Sequence, residues 1–246
     1  MPSDAAKAVA PKVLHVEGLL HGFLVLTSLE GEVLADGEIT QVGHGDKLKT
    51  ILVFHFKDSS FYEEEAVFSQ RRIFRLFSYH LTQKGPAFKN PLELSLDGLT
   101  GQATVRYTNS DGKEKIASER LELRQDLANG LLTTLVKNIQ GGASSMTLSM
   151  VVATPKPRVV KLVISQEGED WFSVGNSSHK AVRYSVKVEL KGVEGLVAPL
   201  VGKERPDTHI WILNGVAPAY LKSEGPICAD CPVWRIEPVS PAWKNN

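Results

Sequence analysis

The chain has 246 residues, with 28 basic and 28 acidic side chains, so its formal net charge is zero. A balanced chain has no overall field to hold a polyanion, which argues against a nucleic-acid partner. Apolar residues make up 42% of the sequence, enough for a substantial core. No stretch approaches the roughly 18 to 20 uninterrupted apolar residues of a membrane helix, so no transmembrane segment is expected and the chain is read as soluble.

Residues 1–11 (MPSDAAKAVAP) are small, polar and flanked by prolines, and read as a flexible arm ahead of one β-rich domain over residues 12–246. They hold no apolar segment of the signal-peptide kind. The expected location is therefore cytoplasmic, or periplasmic or secreted if a signal peptide was trimmed.

Strand signals begin at residue 13. Residues 13–17, 22–27 and 32–42 read as strands, with Gly31 available for positive φ in the connection between the last two. Residues 49–57 (KTILVFHFK) are nearly continuous in apolar side chains and predict a strand covered on both faces. Residues 67–81 (VFSQRRIFRLFSYHL) fit either a helix face or a strand. β-branched and aromatic residues favour one strand, closed at Gly85-Pro86. Ala103, Val105 and Tyr107 alternate with polar residues, Asn109-Ser110-Asp111-Gly112 turns the chain, and Leu121 and Leu123 alternate on the return, which predicts a hairpin. A helix is predicted next: Asp126 as N-cap, Leu127, Leu131, Leu132, Leu135 and Ile139 at helical spacing, and Gly141-Gly142 as the stop. One short helix among many strands suggests a lid or plug. Strands resume over residues 147–154, 159–166, 170–174, 182–191, 209–213 and 233–237. The run 182–191 (VRYSVKVELK) alternates without an error, as a strand with one wet face does.

About a dozen strands without a 20- to 50-residue repeat predict a mainly β protein: a single large curved antiparallel sheet, or half-open barrel, with one short helix packed on it. Such a sheet has a concave face. Phe54, Phe56, Phe74, Phe77 and Tyr79, with Tyr184 and Val186 from the later strand, are the candidates to line it and to bind an apolar ligand. The competing reading makes the same residues ordinary core.

Chemistry-bearing patterns are sparse. Cys228 and Cys231 have the spacing of a zinc half-site or a redox dithiol, but no second pair completes a metal site and Pro226 and Pro232 hold them in a loop. A local disulfide, or two idle thiols, is expected instead. His44, Asp46, His55 and Asp58, with Glu63-Glu64-Glu65, would have to converge to hold a metal, and their spacing matches no metal motif. Ser60, Ser69, Ser78 and Ser149 lie in no nucleophile elbow, and His80 or His209 would meet a serine only through the fold. The basic stretch Gln70-Arg71-Arg72 with Arg75 and Lys84 could meet a carboxylate or phosphate, or simply form a solvated strand edge. No catalytic residue, metal or cofactor is expected from these patterns.

The runs Val67-Phe-Ser-Gln-Arg-Arg72, Lys84-Gly-Pro86, Met150-Val-Val-Ala-Thr-Pro-Lys-Pro157, Trp211-Ile-Leu, Glu224-Gly-Pro226 and Trp234-Arg-Ile-Glu237 resemble an uncharacterised bacterial family of β-rich hypothetical proteins. At a coarser level the pattern is similar to envelope domains of unknown function and to half-barrel lipoprotein carriers. That resemblance implies a curved sheet with a helix in or near its concavity, an exported location and an apolar ligand such as a lipid, and it brings no catalytic residues. The expected function is a non-enzymatic envelope-associated binding or carrier protein, with a metal-dependent or serine hydrolase and a structural or interaction module as alternatives.

Overall fold

The computed structural model describes residues 12–139, 145–174, 176–189 and 206–240. Its first eight strands are β1 (Leu20–Thr27), β2 (Val33–His44), β3 (Lys47–Phe56), β4 (Phe61–Gln70), β5 (Phe74–Lys84), β6 (Leu92–Asp97), β7 (Gln102–Thr108) and β8 (Glu114–Arg120). A connection holding the helix α1 (Leu132–Lys137) leads to β9 (Ser145–Val152), β10 (Arg158–Val174), β11 (Ser177–Glu189), β12 (Thr208–Leu213), β13 (Ala219–Gly225) and β14 (Trp234–Val239).

All fourteen strands form one antiparallel sheet in the order β8-β7-β6-β5-β4-β3-β2-β1-β14-β13-β12-β11-β10-β9. Two up-and-down meanders, β1 to β8 and β9 to β14, are joined where β1 pairs with β14, in a register that sets Leu26 opposite Ile236. The sheet does not close: β8 and β9 are its edges. Inner-face residues from both meanders belong to one hydrophobic core, so the sheet is curled around a shared interior. An open sheet of this size curls because each strand adds right-handed twist.

The elements follow from alternation. In β6, Leu92, Leu94 and Leu96 are buried while Ser95 and Asp97 face solvent. In β11, Val182, Tyr184 and Val186 are buried and Lys187 is exposed; Leu190 and Lys191, the last two residues of the predicted run, lie outside the described residues, as do the arm of residues 1–11 and Gly141-Gly142. Between paired strands, small residues make room for large neighbours. A side chain on Gly37 of β2 would overlap the Phe54 ring, which is fully buried against it.

Several expectations are corrected. Residues 13–17 form no strand; they cross the end of the sheet, tied to the β4–β5 turn by a bridge between Lys12 and Ile73 and by the Val13 N–H donating to the Arg72 carbonyl. The predicted strand 67–81 is two, β4 and β5, because the chain reverses at Arg71 and Arg72. β3 is covered on its inner face only: Leu48, Phe54 and Phe56 are buried, but His55 on the other face is exposed and Ile51 and Val53 lie half-covered opposite the glutamates of β4. The return strand of the predicted hairpin is the charged β8, not residues 121–123, since Asn109 closes the turn early by accepting from the N–H groups of Asp111 and Lys113. Residues 159–166 and 170–174 are one strand, β10, kept continuous by a bulge between Gln166 and Gly168. The helix shrinks to six residues and Asp126 is not its cap, because Gly130 takes a positive φ and residues 126–128 are tied to β9 through the bridge between Leu127 and Ser149.

Candidate functional site

The concave face is occupied by the chain itself. Residues 126–139 leave the β8 edge, run beside β9 and turn into α1, which packs on β12 and β13. Leu127, Ala128, Leu131, Leu135 and Val136 are buried in the same core as the inner faces of the strands. Polar anchors hold this plug. Asn129 accepts from the Val151 N–H at 2.8 Å and donates to the Val151 carbonyl at 2.9 Å, and the Ala128 N–H donates to the Ser149 carbonyl at 2.8 Å.

Where the plug crosses β4 and β5 it meets a half-buried acid. Tyr62, Glu64, Ala66 and Phe68 share the inner face of β4 by strand alternation. The Tyr79 hydroxyl donates to Glu64 Oε1 at 2.7 Å. Burial raises the Glu64 carboxyl above the usual carboxylate range, against the opposing hydrogen bonds from Tyr79 and the Gly130 N–H. Burial also pushes the Tyr62 and Tyr79 phenols well above their ordinary range, and the Glu64 charge adds to both shifts. Gly130 is required here: its φ is +67°, and a side chain on it would overlap the Ala66 methyl.

Both ends of the curled sheet are covered. At one end residues 13–17 form a strap: the Leu14 and His15 N–H groups donate to Asn138 Oδ1, each at 2.8 Å. Gln70 brackets the Glu17 main chain, accepting its N–H at 2.9 Å and donating to its carbonyl at 2.8 Å. Glu17 also pairs with Lys137 at the end of α1, and both side chains are largely buried. At the other end Cys228 and Cys231 are joined by a disulfide. Their loop is held by Asn90 donating to Asp230 at 2.6 Å, beside a cavity of about 30 Å³, room for about one water. Trp234, Phe56 and Phe88 close that end, with successive ring centroids 5.5 Å apart.

Of the residues expected to line the concavity, Phe54, Phe56, Phe74, Tyr79, Tyr184 and Val186 all sit in the core. Phe77 does not share their face. It falls at the bulge of β5, where Leu76 and Ser78 take successive partners on β4, and its ring lies under Lys47 of the outer face. The histidine and aspartate group does not converge: His44 and Asp46 lie at the β2–β3 turn, whereas His55 and Asp58 lie at the opposite end of β3. Among the described residues no three potential metal ligands cluster. His209 meets Glu167 rather than a serine. His80 does touch Ser95, at 3.0 Å, but on the exposed outer face.

Arg75 of the basic stretch borders an open groove of about 370 Å³ with Arg120 and Arg124, where the β6–β7 turn meets the start of the plug connection. Arg124 reaches Asp126, whose buried carboxylate accepts no hydrogen bond. Neither the groove nor the Glu64 cluster was expected. Glu64 had a signal in the sequence, since Tyr62, Ala66 and Phe68 alternate about it; the groove joins distant segments and had none.

These features define a barrel-like open meander with its own chain as a plug. A crystal structure described as a beta-barrel-like protein of a domain of unknown function, DUF1849, from Brucella abortus is similar, at 10% identity and a TM-score of 0.48, over 92% of this chain and 98% of that chain. No family model and no curated protein matches the chain.

Proposed function

We propose that the protein is a non-enzymatic binding or carrier protein of the cell envelope for an apolar molecule such as a lipid, and that residues 126–139 form a displaceable plug. One observation carries this reading: the apolar concave face is filled by a single connection crossing it, not by a second sheet. Withdrawing that connection would bare an apolar trough with Glu64 and Tyr79 as its polar groups, the usual make-up of a ligand site. The Cys228–Cys231 disulfide supports an oxidising compartment. Residues 12–246 act in this reading as one domain.

Native mass spectrometry of protein exported by a bacterial host tests the proposal, together with titration by the fluorescent fatty acid cis-parinaric acid. A lipid-sized adduct and saturable probe binding are expected. Probe binding should tighten in Asn129→Ala, because loosening the plug raises the fraction of the open state. Absence of both adduct and probe binding, in the wild type and in Asn129→Ala, refutes the carrier reading.

A further inference from the structure

β8 is a terminal strand: β7 pairs with one side of it, and among the described residues no strand pairs with the other. Its main-chain parity is fixed. Leu121 donates its N–H to the Gly101 carbonyl at 2.8 Å, and Asn109 donates to the Lys113 carbonyl at 2.9 Å. Odd-numbered residues of β8 therefore turn their N–H and C=O groups toward β7, and the even-numbered Glu114, Ile116, Ser118 and Arg120 turn theirs outward.

Laid antiparallel against a second copy of itself, this edge is self-complementary. With Ala117 on the two-fold axis, outward-facing residues meet outward-facing residues: Glu114 stands opposite Arg120 of the second copy, and Ile116 opposite Ser118. On the other face Lys115 stands opposite Glu119 of the second copy, and the small Ala117 meets its equivalent at the axis. Symmetry makes each charged pair occur twice, and no like charges are opposed. A slip of two residues either way keeps the parity but sets Lys115 against Ala117 or Leu121, and Arg120 against Gly112 or Ile116. The charges therefore select one register.

Two of the side chains have partners within the chain, Arg120 donating its Nε–H to the Thr100 carbonyl at 3.2 Å and Ser118 sharing a hydrogen bond with Thr104 at 3.0 Å, both on the exposed surface. Among the described residues Lys115 and Glu119 have no charged partner within the chain. Glu114 pairs with Arg106 at 3.2 Å but remains 59% exposed at its side chain. Ile116 is 62% exposed and in this register gains a diagonal neighbour in Ile116 of the second copy. Charges commonly guard edge strands against pairing; here their alternation of sign favours the one partner with the same sequence. We propose that the protein forms a two-fold dimer by β8-to-β8 pairing, which joins two sheets edge to edge.

Sedimentation velocity of the full chain over a micromolar concentration series tests this. The wild type is expected to show a concentration-dependent dimer. Lys115→Glu opposes Glu119 of the other copy at both symmetric positions and should weaken the dimer by about tenfold or more. The double variant Lys115→Glu/Glu119→Lys restores opposite charges and should restore it. Ile116→Pro removes an outward N–H that β7 does not use, so circular dichroism should be unchanged while the dimer is lost. A wild type monomeric throughout the series overturns the proposal, as does a dimer that Lys115→Glu and Ile116→Pro leave as tight as the wild type. Neither result bears on lipid binding, so this proposal and the carrier reading fail separately.

Discussion

Replacing Asn129 by Ala removes both side-chain hydrogen bonds that fasten the plug to β9. The Val151 N–H and C=O lose their partners in a site where Val151 is only 2% exposed. Each orphaned buried group costs about 1 to 3 kcal/mol, so keeping the plug seated costs about 2 kcal/mol at the least. The cheaper response is for residues 126–139 to open locally and let water reach Val151, which caps the global loss and turns the rest into local exchange. Because the Val151 amide is itself the donor to Asn129, its hydrogen exchange reads the event directly. Its protection should fall by about 30-fold for 2 kcal/mol, with a smaller change at Leu94 in the core of β6. Unchanged protection at Val151 would refute the assignment of Asn129 as the anchor, and an equal loss at Leu94 would refute local opening in favour of global destabilisation.

Gly130→Ala should lower stability by about 2 to 4 kcal/mol in urea denaturation, from the left-handed backbone and the overlap with Ala66 together; a loss within error would mean that the plug can shift freely over β4. Glu64→Gln tests the acid under the plug by pH. The folded-state pKa of Glu64 is raised, so the stabilisation linked to its proton is fully present below the unfolded-state pKa and is lost as pH rises through the folded-state pKa. The variant, which does not titrate, should gain stability relative to the wild type as pH rises above about 4.5, read from denaturation midpoints across pH 4 to 8; a constant difference over that range would place the carboxyl in contact with water.

Alternation is a property of neighbours along the chain, and it carried a large part of the fold. The β character, the single curved sheet, and strands such as 182–189 were legible because each strand had to bury one face. Strand ends were less legible where charge concealed them: β8 (EKIASER) has little apolar signal because it lies at an edge, and Glu64 reads as part of an acidic run until the inward face of β4 is known. The β13 segment Ala219–Gly225 was missed for a similar reason, since its residues are mostly half-buried and show no clean period.

What the sequence by itself determined was the material of the fold: strands with one dry face, a short apolar segment near residue 130, and a cysteine pair in a proline-bounded loop. Only the tertiary structure decided what that dry face covers. The pairing of β1 with β14 joins residues more than two hundred positions apart, and this long-range contact sets the curl that draws residues 126–139 inside. The plug's helical spacing was visible in its leucines, but its length and its cap were not, because Asn129 and Gly130 answer to β9 and β4 rather than to their own neighbours. Local periodicity reports burial; which surface does the burying depends on partners far along the chain.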